Sequence, residues 1–280
     1  MQEVAIIGAG ELGGDIASAL ARRDLAARIR LLDPTGDVAA GKALDILQAG
    51  PIASFATQVS GAGDVMRATA ADAIVLADRA GATDWTVDEL LLQLKHIRSA
   101  TSRATIVCAG ASHRAVVERA SAELGIPRRR IVGSAPHALA AAVRALVALE
   151  WNGSPKDVSL SVLGIPPSRI VVPWEDATVA GFAATRVLDE PARRRIVERL
   201  APLWPPGPSA LAHAACDVLA CLAGRSRQVV SCFVAADDAP GVRSRVVAMP
   251  VRLSAGGVAA IERPALGGAA RVALENAMLL

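Results

Sequence analysis

Near its start the chain reads EVAIIGAGELGGDIASAL, and few folds can accommodate that order of residues. Glu3–Ile7 is a short apolar run without polar alternation, as expected of a strand buried on both faces. Leu12–Arg23 repeats Ile16 and Leu20 at helical spacing, with small Ala17 and Ala19 between them. The glycines fall between these two elements. Gly8 permits a tight turn, Gly10 lets an anion approach the backbone, and Gly13 lets the helix lie close to the strand. The first N–H groups of the helix, those of Glu11 and Leu12, then face a phosphate. A second strand, Arg28–Leu32, ends at Asp33, 20 residues past Gly13, where a carboxylate accepts hydrogen bonds from an adenosine ribose. These residues predict a dinucleotide site, and Asp33 favours NAD over NADP.

The alternation continues. A helical stretch through Lys42–Gln48 precedes a strand near Gln58–Ser60. Ala73–Ala77 and Ala104–Cys108 read as buried strands, followed by helices at Val87–Arg98 and His113–Leu124. Strands that alternate with helices predict a parallel sheet with crossover helices. After about residue 145 the pattern changes. Strands at Val158–Leu163 and Ile170–Val172 lead to helices at Pro191–Leu200 and Ala210–Ala223. Strands at Gln228–Ala235 and Arg245–Leu253, a Gly256-Gly257 turn and a helix at Ala269–Met278 follow. The expected architecture is α/β: a Rossmann-type parallel sheet domain over residues 1–145, then an α+β second domain over 146–280.

Composition narrows the partners. The chain is 52% hydrophobic with a net charge of +3, and its runs Arg128–Arg130 and Arg193–Arg195 lack interleaved aromatics, so they read as solvated faces rather than nucleic-acid sites. No stretch approaches a membrane span, and the chain enters a strand by Glu3 without a leader pattern. Cys108, Cys216, Cys221 and Cys232 show no metal-ligand spacing. They read as buried thiols of a cytoplasmic protein, and no metal is expected.

Several segments resemble the NAD-dependent malate and lactate dehydrogenases. Gly8–Gly13 with Asp33 is followed by Gly41-Lys-Ala-Leu-Asp45, like that family's helix after its ribose-binding Asp. Gly125–Ser134, Val172-Pro173 with Ala180-Gly181, and Met249–Ile261 resemble later segments in the same order. The resemblance implies NAD(H) held by Gly8, Gly10, Glu11, Leu12, Gly13, Asp33 and Ala77, and a homodimer or homotetramer paired in part through the Gly41–Gln48 helix.

The resemblance also marks what is missing. The family's loop carrying the proton-transferring histidine corresponds to Gly164-Ile-Pro-Pro-Ser168, with Pro166 at the histidine position. The aspartate that orients the histidine corresponds to Leu139, and a carboxylate-binding arginine to Ala142. The arginines of the substrate loop correspond to Gly81 and Val87, and the family's N-P-[VL]-D motif is Ala109-Gly-Ala-Ser112. The T-A-G turn after the fourth strand is Leu76-Ala77-Asp78, which sets an acidic side chain beside the dinucleotide site. The resemblance therefore implies an NAD(H)-binding protein with no catalytic residue at a matching position, serving a regulatory or structural role. The alternative is an active NAD-dependent oxidoreductase with a relocated site. It requires Arg79, His113, His137 or Arg169 to converge on the nicotinamide end. A third reading is an assembly protein that has lost the dinucleotide.

Overall fold

A computed structural model describes residues 1–81, 83–98, 103–235 and 245–278. Ala82, within the expected substrate loop, lies outside the described residues. The first half is built as the glycine pattern requires. Strand β1 (Glu3–Ile7) is buried along its whole length, and α1 (Glu11–Arg22) presses Leu12, Ile16 and Leu20 inward. Then come β2 (Arg28–Leu32), α2 (Gly36–Ala53), β3 (Gln58–Ala62), β4 (Ala73–Leu76), α3 (Val87–Arg98), β5 (Thr105–Cys108), α4 (Arg114–Leu124) and β6 (Ile131–Gly133). These six strands lie in the order β3-β2-β1-β4-β5-β6, all parallel; Ile6 stands beside Leu31 on one side and Val75 on the other. The order reverses at β1, which places the turns after β1 and β4 next to each other at one sheet edge, where ligands of such sheets bind.

Helix α5 (Ala135–Trp151) carries the chain across the expected boundary, so residue 145 falls inside a helix. Ala135 and Ala138 belong to the large core around the sheet, whereas Leu139, Val143 and Val147 belong to a second core. The second half begins with β7 (Val158–Ser159), β8 (Leu163–Ile165), β9 (Arg169–Val171), β10 (Thr178–Val179) and β11 (Phe182–Ala183). It continues with α6 (Ala184–Val187), α7 (Glu190–Glu198), α8 (Pro208–Leu222), β12 (Val230–Ala235), β13 (Val246–Ser254), β14 (Gly257–Ile261) and α9 (Gly268–Met278).

The single strand expected over Val158–Leu163 is instead divided. Its start joins β10 and β11 in a small antiparallel sheet, and its end joins the main sheet through β8. Between them the amide of Val162 donates to Ser231 Oγ at 3.0 Å, so a side chain satisfies the backbone where the run passes between sheets. Among the described residues the main sheet has 11 strands, because β12 pairs antiparallel with β6 and carries β13, β8 and β9 beyond it, with β14 paired to β13. Pro166 and Pro167 form the turn of the β8–β9 hairpin, in which Leu163 faces Val171; Pro166 is buried and Pro167 exposed. The short turn before α8 sets Trp204 edge-on to Phe233, with ring centroids 6.0 Å apart.

No helix among the described residues is long and apolar enough to cross a membrane.

Candidate functional site

The turn after β1 is shaped for an anion. A Cβ on Gly13 would lie 2.1 Å from the carbonyl oxygen of Gly8, so only glycine allows the helix to start this close to the strand. Gly10 stands at the N-cap of α1 but has no side chain with which to cap it, so the first amides of the helix need another partner. That partner comes from the turn after β4. The Asp78 carboxylate accepts from Leu12 N at 3.1 Å and from Gly13 N at 2.9 Å, and its main-chain oxygen accepts from Gly10 N at 3.0 Å. A Cβ on Gly10 would lie 2.3 Å from one carboxylate oxygen and 2.6 Å from the other. The acidic side chain thus sits on the face of Gly10 that a pyrophosphate would approach. The helix dipole and two charge-assisted hydrogen bonds hold it there. Lys42, from α2, donates to the carbonyl of Gly10 and ties that helix to the same turn.

Asp33 lies at the end of β2 as expected, 2% exposed. Its carboxylate accepts from three backbone amides. Oδ2 accepts from Ala9 N at 2.9 Å and Ala80 N at 2.8 Å, and Oδ1 accepts from Thr35 N at 2.9 Å. Ala77 is buried, and its amide continues the sheet by donating to Ile7 O at 2.9 Å. Glu11 is exposed at the start of α1. The structure therefore gathers all the residues proposed for the cofactor at one sheet edge. The donor set suits an anionic phosphate, since it already holds a carboxylate. The Ala80 amide on Asp33 was not legible in the sequence.

The positions matched to the family's chemical groups lie elsewhere in character. Leu139 is fully buried in the second core and Ala109 in the first. Gly81 is exposed, and Val87 begins α3. Each of the four candidates for a relocated site is engaged locally. Arg79 reaches Glu89 at 3.3 Å and lies over the ring of Trp85, 4.9 Å from its centroid. Arg169 donates to the carbonyl of Asn276 on α9 at 2.5 Å. His137 is buried, its Nε2 3.4 Å from Asp217 Oδ2, an ion-pair distance longer than a hydrogen bond. Burial works to raise the Asp217 pKa, but His137 and Arg23 beside it prevail and hold it at about 2. Arg23 also meets Nδ1 of His213, so this cluster ties the end of α1 to α5 and α8. His113, directly before α4, is 3% exposed, and its Nδ1 accepts from Gly110 N at 3.1 Å. Burial pushes its pKa down to about 4, partly countered by Asp84, so the ring is neutral at pH 7.

Among the described residues, no group of three or more His, Cys, Asp or Glu could hold a metal ion. The four cysteines are free and buried.

A parallel nucleotide-binding sheet, extended by antiparallel strands and entered through a glycine turn, defines a Rossmann-type dehydrogenase fold. No family model matches the chain. Its sequence is 30% identical over 292 aligned positions to a malate dehydrogenase of Thermomicrobium roseum, covering 98% of this chain and 94% of that protein. It is 25% identical over 279 positions to one from Chlorobium phaeobacteroides, covering 91% and 88%. The structure of malate dehydrogenase from Salinibacter ruber superposes with a TM-score of 0.86 at 24% identity, over 99% of this chain and 94% of that one. A lactate dehydrogenase from Cryptosporidium parvum, solved with lactic acid and NAD, gives 0.88 at 20% identity, over 99% and 95%. The chain belongs to the malate/lactate dehydrogenase family.

Proposed function

We propose that this protein is an NAD(H)-binding member of its family that does not carry out the family's 2-hydroxy acid chemistry and serves a regulatory or structural role. The observation that carries this reading is Leu139. The position where the family resemblance calls for the carboxylate that orients a histidine is a leucine with no exposed surface, packed inside the second core. An ionised group there would be desolvated without a partner.

The residues that would hold the cofactor are Gly8, Gly10, Glu11, Leu12 and Gly13 at the pyrophosphate, with Asp33 and Ala77 beside them. Their amides and tight glycine turn suit a phosphate. When bound, NAD(H) supplies the hydride acceptor or donor. The chain's own residues at the far end supply no proton: Pro166 has no titratable group, and His113 is neutral and already committed to Gly110. Without a proton donor and fixed positive charge, the alkoxide that develops on reducing a 2-oxo acid goes unstabilised. No observation favours the relocated-site alternative, since Arg79, His113, His137 and Arg169 are each engaged apart.

The proposed partner is a second copy of the chain. Helix α2 leaves Leu44 57% and Ile52 88% exposed, on the helix through which the family resemblance implies pairing. Nucleic acid is an unsuited partner, because Arg194 and Arg195 pair with Glu190 and Glu150. Four buried thiols suit a cytoplasmic protein.

The test is calorimetric titration with NADH, followed by turnover assays with oxaloacetate and pyruvate. Binding without turnover is expected, whereas NADH oxidation at ordinary enzymatic rates would overturn the reading. Light scattering at tens of micromolar should give a dimer or tetramer, and a monomer would remove the assembly claim.

A further inference from the structure

We propose that the segment Asp78–Ala80 is a built-in occupant of the dinucleotide site, and that a dinucleotide enters only by displacing it. The inference rests on the NAD(H)-binding reading and adds how that site is regulated.

Two independent contacts carry it, one at each determinant of the site. At the pyrophosphate position, the Asp78 carboxylate takes the amides of Leu12 and Gly13. Its oxygens lie within 2.6 Å of where a Gly10 Cβ would stand. A phosphate needs the same donors and the same face of Gly10, and two anions cannot share them. At the ribose position, Asp33 Oδ2 already accepts from the Ala80 amide at 2.8 Å and from Ala9 N. A ribose hydroxyl would donate to the carboxylate that Ala80 now engages. One three-residue segment thus presents a carboxylate where a dinucleotide presents phosphate, and an N–H where it presents a hydroxyl donor.

The segment is also held from outside. Arg79, between the two inward contacts, reaches outward to Glu89 and stacks over Trp85. Glu89 is fixed in turn by the amide and hydroxyl of Thr86, at 2.8 and 2.9 Å. Gly81 follows with φ +109° and nothing within 4 Å of a would-be Cβ, a backbone position free to pivot. The carbonyl of Asp78 stays bonded to Gly10 N, so release of the site takes a side-chain rotation at Asp78 and a backbone swing at Ala80 about Gly81.

This arrangement differs from a purely structural helix cap in one measurable respect. A cap stabilises the protein and is indifferent to the dinucleotide; an occupant stabilises the protein and opposes it. The experiment titrates wild type, Asp78→Ala, Asp78→Asn and Arg79→Ala with NADH by calorimetry, and with inorganic pyrophosphate by thermal shift. Asp78→Ala is expected to bind NADH at least tenfold more tightly than wild type. Asp78→Asn should fall between them, and Arg79→Ala should gain severalfold. Pyrophosphate should raise the melting temperature of Asp78→Ala and leave wild type unmoved. Equal NADH affinity in wild type and all variants overturns the inference while leaving the NAD(H) reading intact. Pyrophosphate stabilising only the Asp78 variants, with NADH silent throughout, supports the occupant and removes NAD(H) as its competitor. No response of any variant to either probe overturns both. If Asp78→Ala does not fold, Asp78→Asn and Arg79→Ala decide the question in the same way.

Discussion

The glycine turn and the proposed substrate end contrast with each other. At the glycine turn every motif residue is kept, yet the donors of Leu12 and Gly13 and the carboxylate of Asp33 are satisfied from within the chain. At the substrate end, the positions that the family resemblance matches to its chemical groups hold Leu139, Ala109, Pro166 and Val87. A retained motif therefore records geometry, not availability, and a lost one can still record packing. In the proposed reading the first region keeps its shape with an occupant of its own, and the second places apolar side chains such as Leu139 and Ala109 in the core.

Four measurements would break or sharpen that contrast, the first on rate and the other three on stability, from the largest effect to the smallest. Placing histidine at Pro166 should leave 2-oxo acid reduction at background, although a general acid–base group alone is typically worth about 10²–10⁴ in rate. The orienting carboxylate and the arginines would still be missing. A measurable kcat in Pro166→His would show that the substrate end retains its geometry. Next, Leu139→Asp should cost about 3–5 kcal/mol in urea denaturation, because it sets an unpaired charge in the second core. A loss below ~1 kcal/mol would mean that the position can still open toward the cleft.

The third concerns His113. Its folded pKa, about 4, lies below the ordinary histidine value of about 6.5, so the unfolded chain takes up this proton first. The contribution of His113 to stability is therefore full above about pH 6.5 and is lost as pH falls toward about 4, on the order of 3 kcal/mol over that window. His113→Asn keeps an acceptor for Gly110 N and should flatten the profile. A His113 resonance titrating near its ordinary value by NMR would restore it as a proton-transfer candidate. The smallest effect belongs to Asp217, held at about 2 against an ordinary aspartate value of about 3.8. Its stabilisation is present above about pH 4 and lost as pH falls through about 2. Asp217 is a third exposed, so screening leaves about 1 kcal/mol. A profile unchanged in Asp217→Asn would detach His137 from this cluster.

The parallel half was legible because its signals are local. Glycine spacing, fully apolar strands and helical repeats each predict one element, and β1, α1 and β2 lie within a residue of expectation. The second half was less so. Val158–Leu163 is apolar enough for one strand, but its two ends pair with different sheets, a choice made by partners far along the chain. The cofactor residues were readable by type and spacing. Asp78 stood out as an acidic side chain near an anion site, but its role could not be read there, since its partners lie 65 and 66 residues away. The Ala80 amide on Asp33 leaves no trace in residue identity at all. The Arg23–Asp217 pair spans 194 residues and gave no signal either.

Helix α5 has a consequence of a different kind. It lends Ala135 and Ala138 to one core and Leu139, Val143 and Val147 to the other, while β12 joins β6 in one continuous sheet. Neither half can melt without stripping a face from its neighbour. Scanning calorimetry should meet one transition whose measured enthalpy equals its van't Hoff value. A chain cut at residue 145 would end partway through the helix that closes its own interior, and the fragment should stay unfolded. The boundary expected at residue 145 is therefore not a place where the molecule should come apart.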